Sequence, residues 1–276
     1  MSAQQTTPSD TVPPPPADTI PAPRPLVAPV VRLTMHDPWT WLAAGWADLM
    51  VTWPISITLG LLFTGLGFAM TGGLVLIGWD YLITPLIAGF LLIAPALALG
   101  FHDISRRLEA GERPSLWTTL GAWRINPVAL IGFGVALTVV LLSWLRVAAL
   151  AFAVSFPYVE MTWGSLFQQT ATLDGAIFVL LGTAVGGLFA ALSFAISVVS
   201  VPMLLDRETD LIEALATSVA AVAKNPGPMA LWAGLIVVFI QAGMVTLFIG
   251  LAVTLPLIGH ATWHAYRQTV PRESKT

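Results

Sequence analysis

Long apolar segments alternate with short polar ones along most of this chain. Residues 49–79, 81–102, 125–145, 175–205 and 225–266 carry no formal charge. A helix that crosses a membrane needs about 20 predominantly apolar residues, so these segments can hold several crossings. The pattern predicts an all-α polytopic membrane protein.

About six transmembrane helices result when these segments are divided at their turns. The last segment is barely long enough for two spans. Residues 229–266 make only about 57 Å of helix, and the hydrocarbon core is about 30 Å thick. Five spans are the alternative, but we expect a tight turn between Gly243 and Gly250. The predicted spans are residues 54–72, 82–101, 128–150, 176–203, 228–246 and 248–266.

The basic residues favour six spans and orient the chain. Of the 12 lysines and arginines, all except Arg146 fall on one face of the six-span arrangement. Basic residues accumulate on the cytoplasmic side, so both termini are predicted to be cytoplasmic in the bacterial inner membrane. Five spans would place Arg267, Arg272 and Lys275 outside, against this rule.

A similar segment precedes each of three predicted hairpins. It is a short amphipathic helix that ends where a proline begins the next span, and Pro54, Pro127 and Pro226 suit the first turn because no backbone donor is lost there. Tryptophans cluster around these segments, as they do at membrane interfaces. The predicted fold is three hairpins, each preceded by an interfacial helix. The three segments are residues 37–54, 113–127 and 209–226.

Composition agrees with a membrane protein. Hydrophobic residues make up 56% of the chain and charged residues 10%, against about 25% charged in soluble domains. Cysteine is absent, which excludes disulfides and thiolate metal sites. Residues 1–35 are polar and proline-rich and are predicted to be a disordered cytoplasmic tail, with a proline-rich partner ligand as the alternative. Residues 36–270 form the transmembrane domain and 271–276 a short cytoplasmic tail.

His260 and His264 are the candidate metal ligands. Histidines four residues apart share one helix face and can chelate a divalent cation. Both project from the same side, so a haem iron with two histidine ligands would need a partner such as His102 from another helix. The alternative is that both end the last span among lipid headgroups, beside Tyr266 and Arg267. We expect the alternative, and therefore no cofactor.

Arg146 is the one charge inside an apolar segment, and ionisable residues in membranes are functional candidates because they are costly there. It lies about 28 Å along the helix from Pro127, near the outer boundary. There it can reach lipid phosphate or pair with an acid. The alternative role is in transport or a proton relay. The acids predicted on that side are Asp80, Glu160 and Asp174.

Two further groups point to packing and to lipid. Gly182 and Gly186 let helices approach closely, within the bundle or in a homodimer. A basic cluster near Ser105, which we interpret as a helix cap, is predicted to contact anionic headgroups or a partner protein. Its members are Arg106, Arg107, Arg124 and Arg267. The chain has no phosphate-binding loop, and nucleic-acid binding is not expected.

Three strings carry a family resemblance. They are PLIAGFLLIAPALALGFHDISRRLEAGE (85–112), SFAISVVSVPMLLDR (193–207) and PLIGHATWHAYR (256–267). They resemble a bacterial family of integral membrane proteins of unknown function, some of whose members are labelled cytochrome c oxidase subunits. The resemblance covers roughly residues 36–270 and implies no established activity. A catalytic oxidase subunit needs more histidines than the four in this chain.

Two functions fit these observations. The first is a non-catalytic protein that organises the membrane or serves as an accessory or assembly component of a membrane complex, a respiratory one included. The second is a transporter of small solutes or metal, or a haem- or metal-bearing accessory subunit, with His260, His264 and Arg146 as working residues.

Overall fold

The computed structural model describes residues 25–156, 168 and 172–272. These residues form an all-helical structure without β-strands, which confirms the predicted fold class. The α-helices are α1 (Asp37–Val51), α2 (Trp53–Leu76), α3 (Ile83–Leu97), α4 (Leu99–Glu109), α5 (Leu116–Leu120), α6 (Pro127–Ser155), α7 (Leu173–Ser197), α8 (Ser200–Asp206), α9 (Leu211–Lys224), α10 (Pro226–Val245) and α11 (Leu251–Thr269).

Within the described ranges, four helical segments are long and apolar enough to cross a membrane. They are α2, α6, α10 and Leu173–Asp206, which comprises α7 and α8. Helix α3 has 15 residues, fewer than the roughly 20 that a crossing needs, and α11 carries His260, His264 and Arg267. The chain therefore has several apolar helices of membrane-spanning length, while the six-span topology stays a prediction.

The predicted helix starts and the last turn are confirmed. Pro54, Pro127 and Pro226 lie in the first turns of α2, α6 and α10. The turn between α10 and α11 occupies residues 246–250. Within it, Leu247 and Phe248 adopt positive φ angles of 54° and 64°, a conformation that non-glycine residues adopt rarely.

Helix α11 is the centre of one half of the molecule. It is buried between α1, α2, α4 and α10. Two neighbouring helices approach it at glycines. A Cβ on Gly45 of α1 would lie 2.6 Å from the backbone nitrogen of Ala261, and a Cβ on Gly259 of α11 would lie 2.5 Å from Cβ of Phe101 in α4. The missing side chains allow the backbones to meet.

The other half is built around α3, α6 and α7. Helix α3 packs on α6 and α7, and Ser193 Oγ of α7 donates a hydrogen bond of 2.7 Å to the Leu92 carbonyl. An apolar cleft of about 180 Å³ lies between α2 and α3. Helix α2 packs mainly on α11, through Gly60 and Ala252, so the predicted first hairpin stays a prediction.

All three segments predicted to be interfacial contain helices, but these helices are unequal. Helix α1 buries Trp41, Gly45 and Leu49, whereas α5 has only 5 residues. Helix α9 buries the polar residue Ser218. The Ser218 hydroxyl accepts a hydrogen bond of 3.2 Å from the backbone nitrogen of Val199. Val199 is the N-cap of α8, and the backbone nitrogens at the start of a helix find no acceptor within that helix.

Part of the predicted tail is packed on the bundle. The backbone nitrogen of Ala28 donates to Thr217 Oγ1 at 3.0 Å, and that of Leu33 donates to Asn225 Oδ1 at 2.8 Å. The backbone nitrogen of Val31 donates to the Thr269 carbonyl at 3.0 Å. The packed part of the chain thus begins before residue 36, and residues 1–24 of the predicted tail lie outside the described residues.

Candidate functional site

The two predicted histidines lie one turn apart on α11 but in different surroundings. The His260 side chain is fully buried, whereas the side chain of His264 is 31% exposed. Each ring is engaged by different groups.

His260 is held on both ring nitrogens by hydroxyl groups. Its Nε2 lies 2.9 Å from Ser56 Oγ at the start of α2, and its Nδ1 lies 2.8 Å from Ser105 Oγ of α4. Phe101 packs edge-on against the ring, with centroids 5.8 Å apart. Three helices thus meet at this one imidazole.

Asp48 of α1 extends this network towards the surface. Its Oδ2 accepts a hydrogen bond of 2.6 Å from Ser105 Oγ and lies 2.8 Å from Nε2 of His264. Burial alone would raise the pKa of this carboxyl, but the hydrogen bonds from His264 and Ser105 lower it below its ordinary value of 3.8. Asp48 is therefore ionised at neutral pH, one serine away from His260.

Thr52 and Ser56 complete the network where α1 meets α2. Their hydroxyl oxygens lie 2.9 Å apart, and the Thr52 hydroxyl donates to the Asp48 carbonyl at 2.7 Å. Both side chains are buried. We call this set of groups, Asp48, Thr52, Ser56, Ser105, His260 and His264, the serine–histidine network.

His102, the predicted haem partner, is turned to the backbone instead. Its Nδ1 donates a hydrogen bond of 2.9 Å to the Gly259 carbonyl, and burial lowers the pKa of this histidine to about 4. The ring is neutral at physiological pH. In the described part of the chain, no group of three or more histidine, aspartate or glutamate side chains is placed to hold a metal. Metal binding at His260 and His264 stays a prediction.

Three of the four predicted headgroup-binding arginines are in ion pairs within the protein. Arg106 and Arg107 bind the buried carboxylate of Asp103 at 2.7 and 2.8 Å. Arg267 binds Glu109 at 2.7 Å. Arg124 differs, because it lies over the ring of Trp123 with its guanidinium carbon 5.4 Å from the ring centroid. The predicted contacts with lipid or a partner stay predictions.

The end of α11 is joined to α4 and α8 by a larger ion-pair cluster. Arg267 bridges Glu109 and Asp206, at 2.7 and 3.4 Å. Arg272 binds Asp206 at 2.6 Å, and the Tyr266 hydroxyl donates to the same carboxylate at 2.8 Å. The basic residues near this end thus fasten three helices together.

Arg146 and the glycine pair lie in the other half of the molecule. Arg146 is exposed on α6, and its predicted partner Glu160 lies outside the described residues. Gly186 faces the ring of Trp144 on α6, to which a Cβ would approach within 3.1 Å, whereas Gly182 faces open space. Gly186 therefore serves packing within the bundle, and the homodimer stays a prediction.

Sequence reasoning missed most of the serine–histidine network. Ser105, which was predicted to cap a helix, lies inside α4 and is buried. Asp48, Thr52 and Ser56 were assigned no role. A usable signal was present for Asp48, because it lies beside the apolar positions Gly45 and Leu49 of a helix that precedes an apolar span.

Comparison with known proteins supports the membrane assignment. No curated protein and no solved structure matches the chain. Residues 83–206, which extend from α3 to α8, match the model of the family described as predicted integral membrane protein (DUF2189), which confirms the predicted resemblance to a membrane protein family of unknown function.

Proposed function

We propose that this protein is a non-catalytic component of the bacterial inner membrane that organises anionic lipid and serves as an accessory subunit of a membrane complex. The observation that carries the proposal is a group of exposed tryptophans on α1, α2 and the segment around α5. We call this group the tryptophan belt. Its members and their exposed fractions are Trp39 (50%), Trp46 (48%), Trp53 (60%), Trp117 (83%) and Trp123 (45%).

Trp39, Trp117 and Trp123 of the tryptophan belt lie near one end of the bundle. Helix α1 runs antiparallel to α11, because Trp41 Nε1 donates to Gln268 while Asp48 meets His264. Helix α4 ends beside the same end of α11, where Glu109 binds Arg267. The short α5 follows α4 and packs against it. Trp46 and Trp53 lie further along α1 and at the start of α2, and exposed tryptophans are typical of a membrane interface.

Several observations support a non-catalytic role. Ser56 and His260 resemble a nucleophilic serine with its histidine base. The Ser56 side chain is fully buried, however, and offers no contact to a substrate. The ion pairs of Arg106, Arg107 and Arg267 fasten helices to one another. The polar groups in the described residues thus mainly join helices, whereas the exposed surface at the belt is aromatic.

Lipid binding at the belt is tested with Trp123 and Arg124, the exposed pair in which a cation lies over an aromatic ring. The purified protein in nanodiscs of mixed anionic and zwitterionic lipid is delipidated gently, and the retained lipid is identified by native mass spectrometry. Because a basic residue near the interface contributes about 1 kcal/mol, we expect Arg124→Gln to lower retention of anionic lipid several-fold. Lys224→Gln is the control, because Nζ of Lys224 already donates to the Val30 carbonyl at 2.6 Å within the protein. Equal retention of both lipid classes by the wild type would contradict the proposal.

The accessory role is tested by native electrophoresis of mild-detergent extracts from the native membrane. We expect a species heavier than the chain itself that Trp117→Ala weakens, since Trp117 is the most exposed member of the belt. Trp79→Ala is the matched control, because Trp79 is also exposed but follows the far end of α2. A wild type that migrates as a single chain, or two variants with the same effect, would argue against this role.

A further inference from the structure

When His260 is neutral, the serine–histidine network has fewer protons than hydrogen-bond contacts. Thr52, Ser56, Ser105 and His260 take part in five contacts, namely Thr52 with the Asp48 carbonyl, Thr52 with Ser56, Ser56 with Nε2, Nδ1 with Ser105 and Ser105 with Asp48 Oδ2. Three hydroxyls and one ring N–H provide four protons. One contact therefore lacks a proton.

A protonated His260 removes this deficit. With both ring nitrogens protonated, Nε2 donates to Ser56, Ser56 to Thr52 and Thr52 to the Asp48 carbonyl. Nδ1 donates to Ser105, and Ser105 donates to Asp48 Oδ2. Every contact then has a donor and an acceptor, and the imidazolium lies one hydroxyl away from the Asp48 carboxylate.

The groups around His260 determine how well a positive charge on its ring is stabilised. Burial disfavours a charge on the ring and is the larger influence, whereas the Asp48 carboxylate of α1 favours the charge. His102 of α4 and His264 of α11 also face it, and His102 is kept neutral by burial. Helix α2 contributes the uncharged hydroxyls of Thr52 and Ser56. Among the described residues, Asp48 is therefore the counter-charge of this site.

We propose that the serine–histidine network is a proton-binding site in which His264 is the entrance, Ser105 the relay and His260 the acceptor. The entrance is accessible, because the side chain of His264 is 31% exposed and that of Asp48 is 17% exposed. The acceptor is fully buried. This proposal is independent of lipid organisation at the tryptophan belt.

The transfer balances without any further reactant. A proton on Nε2 of His264 passes to Asp48 Oδ2, across 2.8 Å. Asp48 then returns it to Ser105 Oγ as Ser105 gives its own proton to Nδ1 of His260, whose other nitrogen carries the original ring proton. The result is a neutral His264, an unchanged Asp48 carboxylate, an unchanged Ser105 hydroxyl and a charged His260.

Nitrogen NMR on full-length protein in nanodiscs tests the site, with ¹⁵N-labelled histidine. The chain has only 4 histidines, so single His→Gln variants assign the signals. We expect His260 to bind a proton as the pH is lowered, and Asp48→Asn to move the midpoint to lower pH because the counter-charge is lost. A His260 that stays neutral in one tautomer throughout, or a midpoint that Asp48→Asn leaves unchanged, would overturn the proposal.

The relay is tested by the exchange of the His260 ring protons with solvent. We expect Ser105→Ala to slow this exchange by roughly a hundredfold, the lower range for a positioned proton-transfer group, and Ser105→Thr to restore it. Ser56→Ala is the matched control, since it removes the other hydroxyl on the same ring but leaves the path to Asp48 intact. Equal exchange in Ser105→Ala and Ser56→Ala would refute the relay, and Ser105→Thr keeps the test valid if the alanine variant fails to fold.

Discussion

Helices α6 and α11 are both long, but they meet opposite surroundings. Along α6, only Ala129, Phe133, Leu137 and Phe152 are buried, and large side chains such as Val128 and Val154 are exposed. Along α11, most side chains are buried by the rest of the protein, including His260 and Trp263. The apolar helix α6 thus exposes most of its side chains on the outside of the bundle, whereas the more polar helix α11 is enclosed by neighbouring helices.

This difference shows how a membrane protein accommodates polar residues. Hydrocarbon offers no partner to an imidazole or a hydroxyl, so such groups are stable only where other protein groups bind them. The partners of His260 come from α2 and α4, and glycines bring the helices near enough to provide them. The predictions below test whether close packing and polar bonding distinguish the two regions.

The largest effect is expected from Gly45→Ala. The new methyl group would lie 2.6 Å from the Ala261 backbone nitrogen, and overpacking of this kind costs about 1–3 kcal/mol. Gly182→Ala is the matched control on α7, since nothing lies within 4 Å of its added Cβ. We expect that control to change the free energy of unfolding by about 1 kcal/mol or less, in the stabilising direction. Unfolding in detergent, followed by tryptophan fluorescence, measures both, and equal losses would contradict the described packing.

A smaller effect is expected from the coupling of Asp48 and His264. Their atoms lie 2.8 Å apart, and contacting residues show coupling energies of about 0.5–3 kcal/mol. A double-mutant cycle with Asp48→Asn and His264→Gln measures this value at neutral pH. Asp174→Asn replaces Asp48→Asn in the control cycle, because Asp174 is exposed on α7. Additive effects of Asp48→Asn and His264→Gln would mean that α1 is not joined to α11 at this point.

A further comparison concerns Arg267 and Arg124, which the sequence analysis predicted to have the same role as contacts for lipid headgroups or a partner. Arg267 bridges Glu109 and Asp206, with its side chain 19% exposed, whereas Arg124 lies over Trp123. We expect Arg267→Gln to lower the free energy of unfolding by about 1 kcal/mol. Arg124→Gln should change it by less than about 0.5 kcal/mol, as is usual for surface positions. Unfolding in detergent measures both variants. A larger loss of unfolding free energy for Arg124→Gln than for Arg267→Gln would contradict a structural role for Arg267.

The smallest effect is expected from the pH dependence of Glu109. Burial alone would raise the pKa of this carboxyl, but the hydrogen bond and charge of Arg267 lower it below its ordinary value of 4.5. A lowered pKa in the folded state means that Glu109 stabilises the protein above pH 4.5 and that this contribution is lost as the pH falls through the folded value. The stability difference between wild type and Glu109→Gln should therefore shrink on acidification. A difference that grows towards low pH would show the opposite sign.

Much of the fold was predictable because it follows from local chemistry. The starts of α2, α6 and α10 coincide with Pro54, Pro127 and Pro226, since proline suits a first helical turn. The apolar segments correspond to long helices because hydrocarbon requires internally bonded backbone. The packing of α2 was not predictable, because Gly60 of α2 meets Ala252 of α11, a helix far away along the chain.

The candidate site was predictable only in part. The spacing of His260 and His264 shows that they share a helix face, but it does not reveal which groups meet each ring. Ser56 and Ser105 are separated from His260 by 204 and 155 positions along the chain. A prediction from neighbouring residues could therefore identify Ser105 only as a helix cap and the two histidines only as a pair on one helix face.

The amino-acid sequence alone determined the apolar segments, the helical class and the places where helices begin, because each depends on neighbouring residues and on the solvent around them. The tertiary structure decided which polar groups meet inside the bundle and which arginines bind acids within the protein. Those outcomes depend on the packing of distant helices, and hydrogen bonds and ion pairs form only between groups that packing brings within about 3 Å.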